Sequence, residues 1–353
     1  MKWSFKIGSI FGIPIRVHFT FILLLIFIGI SGGREDFLRG IQGVIFVIAI
    51  FGCVIIHEIA HSSLARYFGI NVKEMVLLPI GGVSQIEELP KDPKKEIIIS
   101  IAGPFVSFFF AFIFYIVAKG PFLIKENAIL YSRSFWMRLF WINLILGIFN
   151  LIPAFPMDGG RVLRSLFALR LNYLKATKIA VGVGQFIAIL LFFFGIFYNL
   201  WLALIAMFIY IGAETEEKTT ELKATISHVP VKKAMIENID TLKPSDTLKE
   251  VIHKSYHSLQ KDFPVVERGK VVGLILHDKI LSLLHNYSED TKVEEVMLKN
   301  FISVNEKDLL DSAFKKMNES EISTLVVLDK EKLKGLISFE QIGKYHMLSS
   351  ISR

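Results

Sequence analysis

Gly43-Val-Ile-Phe-Val-Ile-Ala-Ile-Phe-Gly-Cys-Val-Ile-Ile56 runs without a charge into His57-Glu58-Ile59-Ala60-His61. An apolar run of this length reads as a membrane helix. On a helix, His57 and His61 are four residues apart and project from one face, about 5–6 Å apart at Cβ. Two imidazoles at that spacing can share one zinc, and Glu58 beside them can take a proton from an activated water. Charged and titratable groups inside a span are costly and mark function. The stretch therefore points to water and metal chemistry within a bilayer.

Composition agrees with that reading. Of 353 residues, 52% are hydrophobic, well above the usual soluble chain. The net charge of +7 is explained by cytoplasmic Lys and Arg facing an anionic leaflet, and no nucleic-acid-binding module accompanies it. The single cysteine, Cys53, excludes an internal disulfide and fits a reducing compartment. No cleavable signal peptide is expected, since Met1 leads into a short polar, amphipathic stretch.

Before residue 213 the chain shows about six apolar segments, near 14–31, 41–67, 97–118, 135–155, 179–196 and 198–213. Basic residues cluster in the N-terminal stretch (Lys2, Lys6, Arg16), after the second segment (Arg66, Lys73, Lys91, Lys94, Lys95) and after the fourth (Arg161, Arg164, Arg170, Lys175, Lys178). The opposite loops carry fewer: Arg34, Arg39, Lys119, Lys125 and Arg133. The positive-inside rule then sets both the N-terminus and the C-terminal region in the cytoplasm, with His57 and His61 toward the cytoplasmic end of the second span.

A catalytic zinc takes three protein ligands and leaves one position open. Residues 1–213 offer few candidates: one further histidine, His18, and three aspartates, Asp36, Asp92 and Asp158. Asp36 lies in an outer loop and Asp92 in the charged run Lys91-Asp-Pro-Lys-Lys95. Asp158 follows Asn150-Leu-Ile-Pro-Ala-Phe-Pro-Met157, where Pro153 and Pro156 break the fourth helix and Gly159-Gly160 loosen it. Irregular backbone at membrane depth is tolerated where it lines a wet cavity. Asp158 is thus the expected third ligand, against the alternatives of an ion pair with Arg161 or a helix cap. His18 reads as a packing residue or a group lining the site, and Cys53, one turn before His57, as a small packing residue. Leu77-Leu-Pro-Ile-Gly-Gly-Val-Ser-Gln-Ile86 reads as a hairpin or re-entrant strand able to hold an extended peptide, or as an ordinary packed loop.

After residue 213 the chain turns polar and repeats with a period of about 60 residues. Val231-Lys-Lys-Ala-Met235 matches Val293-Glu-Glu-Val-Met297, Phe263-Pro-Val-Val266 matches Thr324-Leu-Val-Val327, and Val272-Gly-Leu-Ile275 matches Lys334-Gly-Leu-Ile337. Each copy reads strand, helix, strand, strand, helix, and is too small to bury its strands alone, so the copies should pair.

His57-Glu-Ile-Ala-His61 with Asn150-Leu-Ile-Pro-Ala-Phe-Pro-Met-Asp-Gly-Gly160 resembles the site-2 protease family of intramembrane zinc metalloproteases. Leu78-Pro-Ile-Gly-Gly82 and Ile101-Ala-Gly-Pro104 are similar to further motifs of that family. The repeat resembles a pair of cystathionine-β-synthase (CBS) domains. The resemblance implies a polytopic α-helical membrane protein with about six transmembrane helices and a soluble α/β CBS pair. The domains are then a protease at 1–213, a linker at 214–227, and CBS repeats at 228–289 and 290–353. It implies one Zn²⁺ on His57, His61 and Asp158, Glu58 as general base, Asn150 in a supporting role, and a transmembrane protein substrate. CBS pairs often bind adenine nucleotides through Gly, two apolar residues, Ser or Thr, two more residues, then Asp. Here Gly273-Leu-Ile-Leu-His-Asp-Lys279 lacks both polar positions and Gly335-Leu-Ile-Ser-Phe-Glu-Gln341 keeps only Ser338. Nucleotide sensing and a structural role, with a homodimer formed through the pair, both stand. Two rival readings are a CBS-gated ion or solute transporter and an inactive homologue that binds membrane proteins.

Overall fold

The computed structural model describes residues 3–34, 36–79, 81–86, 92–119, 133–258, 260–320 and 322–351. Lys2, Lys91 and Lys125 of the charge argument, and Ile80 of the hairpin motif, lie outside them. The chain divides into two compact units, residues 1–218 and 219–353.

The first unit opens with strands β1 (Ser4–Ile10) and β2 (Ile13–His18), joined by Phe11-Gly12. Both turn residues have positive φ, 50° and 74°, as a two-residue hairpin requires. Residues 14–18, expected within the first span, are therefore strand. Ile13, Ile15 and Val17 alternate inward in the period of two that a half-buried strand shows. Helix α1 (Phe19–Gly33) and helix α2 (Phe37–Tyr67) then lead to β3 (Val72–Leu78), which pairs parallel with β2 and antiparallel with β4 (Gly81–Ile86). The sheet order is β1-β2-β3-β4, so β4 is an edge. Its core is Ile13, Ile15, Phe21, Ile59, Met75 and Ile99.

Helices α3 (Pro93–Lys119), α4 (Arg133–Asn150), α5 (Asp158–Ala168) and α6 (Tyr173–Tyr198) follow in this unit, and α7 (Leu200–Ile226) begins in it. Among the described residues, three helices, α2, α3 and α6, are long and apolar enough to cross a membrane. The count of about six spans is not met on that criterion, since α1 has 15 residues and α7 carries the acidic stretch Glu214-Thr-Glu-Glu217. Large apolar side chains such as Ile48, Ile98, Phe109, Phe186 and Phe193 are exposed on these helices. Such surface is costly in water and suits lipid. Residues 214–226, expected to be a linker, continue α7 as helix.

In the second unit, the two copies of the repeat share one five-stranded sheet of order β5-β6-β9-β8-β7. The strands are β5 (Phe263–Glu267), β6 (Lys270–Ile275), β7 (Ser303–Asn305), β8 (Thr324–Asp329) and β9 (Lys332–Ser338), with helices α8 (Leu248–His257), α9 (His277–Asn286), α10 (Val293–Val296), α11 (Leu310–Ser320) and α12 (Phe339–Ile351). The copies do pair: Leu274 of the first is buried with Val326 and Leu336 of the second. The first strand expected in the first copy shrinks to a single bridge, Leu242 to Val265.

Candidate metal centre

His57 and His61 lie on the buried stripe of α2, starting about 30 Å along a helix that begins at Phe37. Asp158 is brought to them by a change of direction after α4. That helix stops at Asn150, residues 151–157 turn, and α5 begins at Asp158. The expectation that Gly159-Gly160 loosen this region is reversed. Both lie inside α5, where a Cβ on Gly159 would come within 2.3 Å of the Ile152 carbonyl oxygen. The glycines let the turn fold tightly onto the helix start. Ala154, Phe155 and Met157 of the turn are buried, packed with Ala188 and Ile209 and with Ala180 and Ala213.

The three side chains form a triangle. His57 Nε2 and His61 Nε2 are 3.2 Å apart, and Asp158 Oδ2 lies 3.4 Å from the first and 3.1 Å from the second. Ligand atoms held ~2.05 Å from a tetrahedral zinc sit about 3.3 Å apart, so the triangle already has the dimensions of such a site. Its chemistry agrees. The Nδ1–H of His61 donates to the carbonyl of Ile99 at 2.7 Å, an acceptor with no proton of its own, which leaves the lone pair of a neutral ring on Nε2. His57 Nδ1 is 2.8 Å from Ser107 Oγ, which holds the orientation of that ring. The His61 lone pair, the His57 Nε2 edge and a carboxylate thus face one another in a buried space, an arrangement suited to a cation. All three residues are buried, and among the described residues they are the group that could hold a metal.

Helix α3 completes the site. A Cβ at Gly103 would fall 2.1 Å from His61 Nε2 and 2.4 Å from His57 Nε2, so the missing side chain keeps both nitrogens open. Gly103 falls in the Ile101-Ala-Gly-Pro104 motif, without a role assigned to it there, whereas Ser107 and the Ile99 carbonyl were not singled out by sequence reasoning. The signal for Gly103 and Ser107 is a pair of small residues at helical spacing in an otherwise apolar helix; the Ile99 carbonyl carries none. Glu58 faces β4: a Cβ on Gly82 would meet its Cγ at 2.9 Å. Within the Leu77–Ile86 stretch, Leu77-Leu78 pair antiparallel with Gly81-Gly82, and the outer strand lies against the helix that carries Glu58.

The other expected residues are not among the three that converge. Asn150 ends α4, and its amide donates back to the Leu146 carbonyl at 3.0 Å. His18 caps α1 and sits 2.8 Å from Thr20 Oγ1. Cys53 is buried and unoxidised. The cap of α5 is Met157, so Asp158 is not spent on capping. Ser338 donates to Gln341 in the second unit.

An apolar helical unit that carries a His-Glu-x-x-His helix and a buried carboxylate beside it defines a metalloprotease of the membrane. The chain belongs to peptidase family M50: the family's model matches residues 45–129 and 118–191, and CBS domain models match 227–286 and 293–345. It is 35% identical over 342 residues to "Zinc metalloprotease MJ0392" of Methanocaldococcus jannaschii, covering 96% of this chain and 94% of that one. It is 32% identical over 139 residues to "Stage IV sporulation protein FB" of Bacillus subtilis, covering 39% of this chain and 46% of that one. Among solved structures it is similar to "Site-2 Protease from Methanocaldococcus jannaschii", with 40% identity over 61% of this chain and 95% of that one and a TM-score of 0.46.

Proposed function

We propose that this protein is an intramembrane zinc metalloprotease that hydrolyses peptide bonds in or beside the transmembrane segments of membrane-protein substrates. The observation that carries the reading is the convergence of two imidazole nitrogens and one buried carboxylate, 3.1–3.4 Å apart, on an apolar helical scaffold. His57, His61 and Asp158 would hold one Zn²⁺. When bound, zinc supplies Lewis acidity, polarising the scissile carbonyl and lowering the pKa of water. Glu58, adjacent to His57, takes the proton from the attacking water and delivers it to the leaving amine. A C–O bond forms as the amide C–N bond breaks, giving a carboxylate and an amine.

The edge strand β4 is the substrate's guide in this reading. Gly82 brings it against Glu58, so an extended segment pairing with β4 would present its carbonyls beside the base. A transmembrane helix must unwind to do so, because its carbonyls are bonded within the helix. Asn150 has a supporting role at the end of α4. The full topology has about six spans, with α1, α4 and α7 joining the three long apolar helices, and with the N-terminus and the CBS pair in the cytoplasm.

The CBS pair regulates the protease in this proposal. Its two copies enclose a cavity of about 350 Å³ lined by Asp262, His277, Asp278, Thr324, Ser338 and Glu340 among others. The size suits an adenine nucleotide touching Ser338, while the acidic lining weighs toward a ligand of low negative charge. Pairing of two such domains into a homodimer is the alternative role.

The test is cleavage of a single-span model substrate by the purified full-length chain. Activity that is lost to a chelator and restored by zinc supports the proposal. Activity that survives complete removal of metal overturns it.

A further inference from the structure

Helix α3 touches both histidines of the metal centre from one stripe. Ile99 holds His61 through its carbonyl, Gly103 leaves room beside both Nε2 atoms, and Ser107 holds His57. The spacings of four between the last two and before them place these residues on one face. Glu96 continues that stripe one turn earlier, and it is completely buried. Its carboxylate reaches across to α5, the helix that begins with Asp158. One oxygen accepts from Ser165 Oγ at 2.7 Å. The other accepts from Arg164 Nε at 3.1 Å and from Arg164 Nη2. Tyr173 OH lies 3.5 Å from that same oxygen.

Ser165 stands seven residues, two turns, after Asp158, so the two share a face of α5. Arg164 is 1% exposed. Its guanidinium lies over the rings of Phe155, at 5.0 Å, and Tyr173, at 4.8 Å, and its remaining branch meets Glu216 of α7. Phe155 belongs to the turn that delivers Asp158. The network therefore grips α5 from below and the turn from the side, and anchors both to the stripe that orients the two histidines.

We infer that Glu96 is a positioning residue for the third ligand: through Ser165 and Arg164 it sets the depth and rotation of α5, and so where the Asp158 carboxylate stands relative to His57 and His61. Breaking a buried charge pair at one partner is destabilising whatever its role, since it strands the other charge. A double replacement with apolar residues strands no fully buried charge, since Arg164's other partner, Glu216, is partly exposed, and it separates stability from positioning. The inference rests on the metal reading above.

The experiment uses the full-length chain in lipid nanodiscs, with Zn²⁺ titrated against a chromophoric chelator and Co²⁺ absorption as the geometric signature. The variants are Ser165→Ala, which buries no charge, and the double variant Glu96→Leu, Arg164→Met. The expected result is a zinc affinity lowered by more than about threefold in both, below the 10–100-fold typical of losing a group bonded directly to a ligand. A changed Co²⁺ visible band should accompany it, with the unfolding transition of the double variant kept near the parent's. Affinity and band within threefold of the parent, whatever happens to stability, overturn the inference while leaving the metal reading intact. A parent chain that binds no zinc overturns both.

Discussion

Replacing Gly103 with alanine adds one methyl group at the most crowded point of the site. The new carbon would lie 2.1 Å from His61 Nε2 and 2.4 Å from His57 Nε2. Carbon and nitrogen in van der Waals contact stay about 3.4 Å apart, so a gap of roughly 1 Å or more must open. It can open in two ways. Helices α2 and α3 separate, or the imidazoles rotate. Either movement breaks the bonds that orient the rings, 2.8 Å from His57 to Ser107 and 2.7 Å from His61 to Ile99. Each such partner is typically worth 10–100-fold in metal affinity, so losing both predicts a fall of at least about 100-fold. Competition with a chromophoric chelator measures the affinity, and cleavage of a single-span substrate should fall in parallel. Gly182→Ala on α6 is the matched control, because nothing lies within 4 Å of a Cβ there. It should leave both readouts unchanged and raise stability by up to about 1 kcal/mol, from the lost freedom of the unfolded chain. A Gly103→Ala protein with zinc affinity within threefold of the parent would refute the packing argument.

Three further outcomes follow from the geometry. Ser107→Ala removes the partner of His57 Nδ1 without adding bulk, and should lower zinc affinity about 10–100-fold in the same titration, with the fold intact by circular dichroism. Asp262 is buried and accepts from the His277 N–H at 2.8 Å and from the Thr324 hydroxyl, so it ties the two CBS copies together. Asp262→Ala should lower the stability of the second unit by about 2–3 kcal/mol, read by calorimetry of the full chain, since bonds to a charged acceptor are worth about 1.5–3 kcal/mol. Lys344 and Lys261 hold the Glu340 carboxyl down at about 2, from an ordinary 4.5. Its ion pairs are therefore at full strength above about pH 5 and fade as pH falls toward 2. The melting difference between the parent and Glu340→Gln should be small at pH 7, narrow between pH 5 and pH 3, and shrink in high salt because the groups are solvent-exposed. A difference that grows on acidification would show that other groups dominate there.

Much of the site was legible because polar groups are scarce in an apolar chain. His57, Glu58 and His61 stand out against Gly43–Ile56, and so does Asp158 after two prolines. What the sequence concealed depends on register between helices. Gly103 stands in the Ile101-Ala-Gly-Pro104 motif, but the motif does not say that its missing side chain leaves room beside both Nε2 atoms, and the Ile99 carbonyl belongs to a residue whose side chain says nothing of it. Glu96 directly follows the charged run Lys91-Asp-Pro-Lys-Lys95 and nothing local sets it apart. Its burial is set by Arg164, 68 residues away. Arg164 in turn counted only as one more cytoplasmic charge. The first span was misread for a related reason. A hydropathy window long enough to find a helix absorbs the alternation of Ile13, Ile15 and Val17, which belongs to a strand. The CBS copies were easier, because their repeated apolar strands must bury against each other whatever their ligand.

The measurement that tests the central claim most directly is made on Glu58→Gln in proteoliposomes, with bound zinc and cleavage of a single-span substrate read on the same sample. The account predicts about one zinc per chain, as in the parent, and cleavage lowered by at least about 100-fold, because the ligands are untouched and the base is gone. Cleavage at the parent's rate with zinc still bound would contradict it.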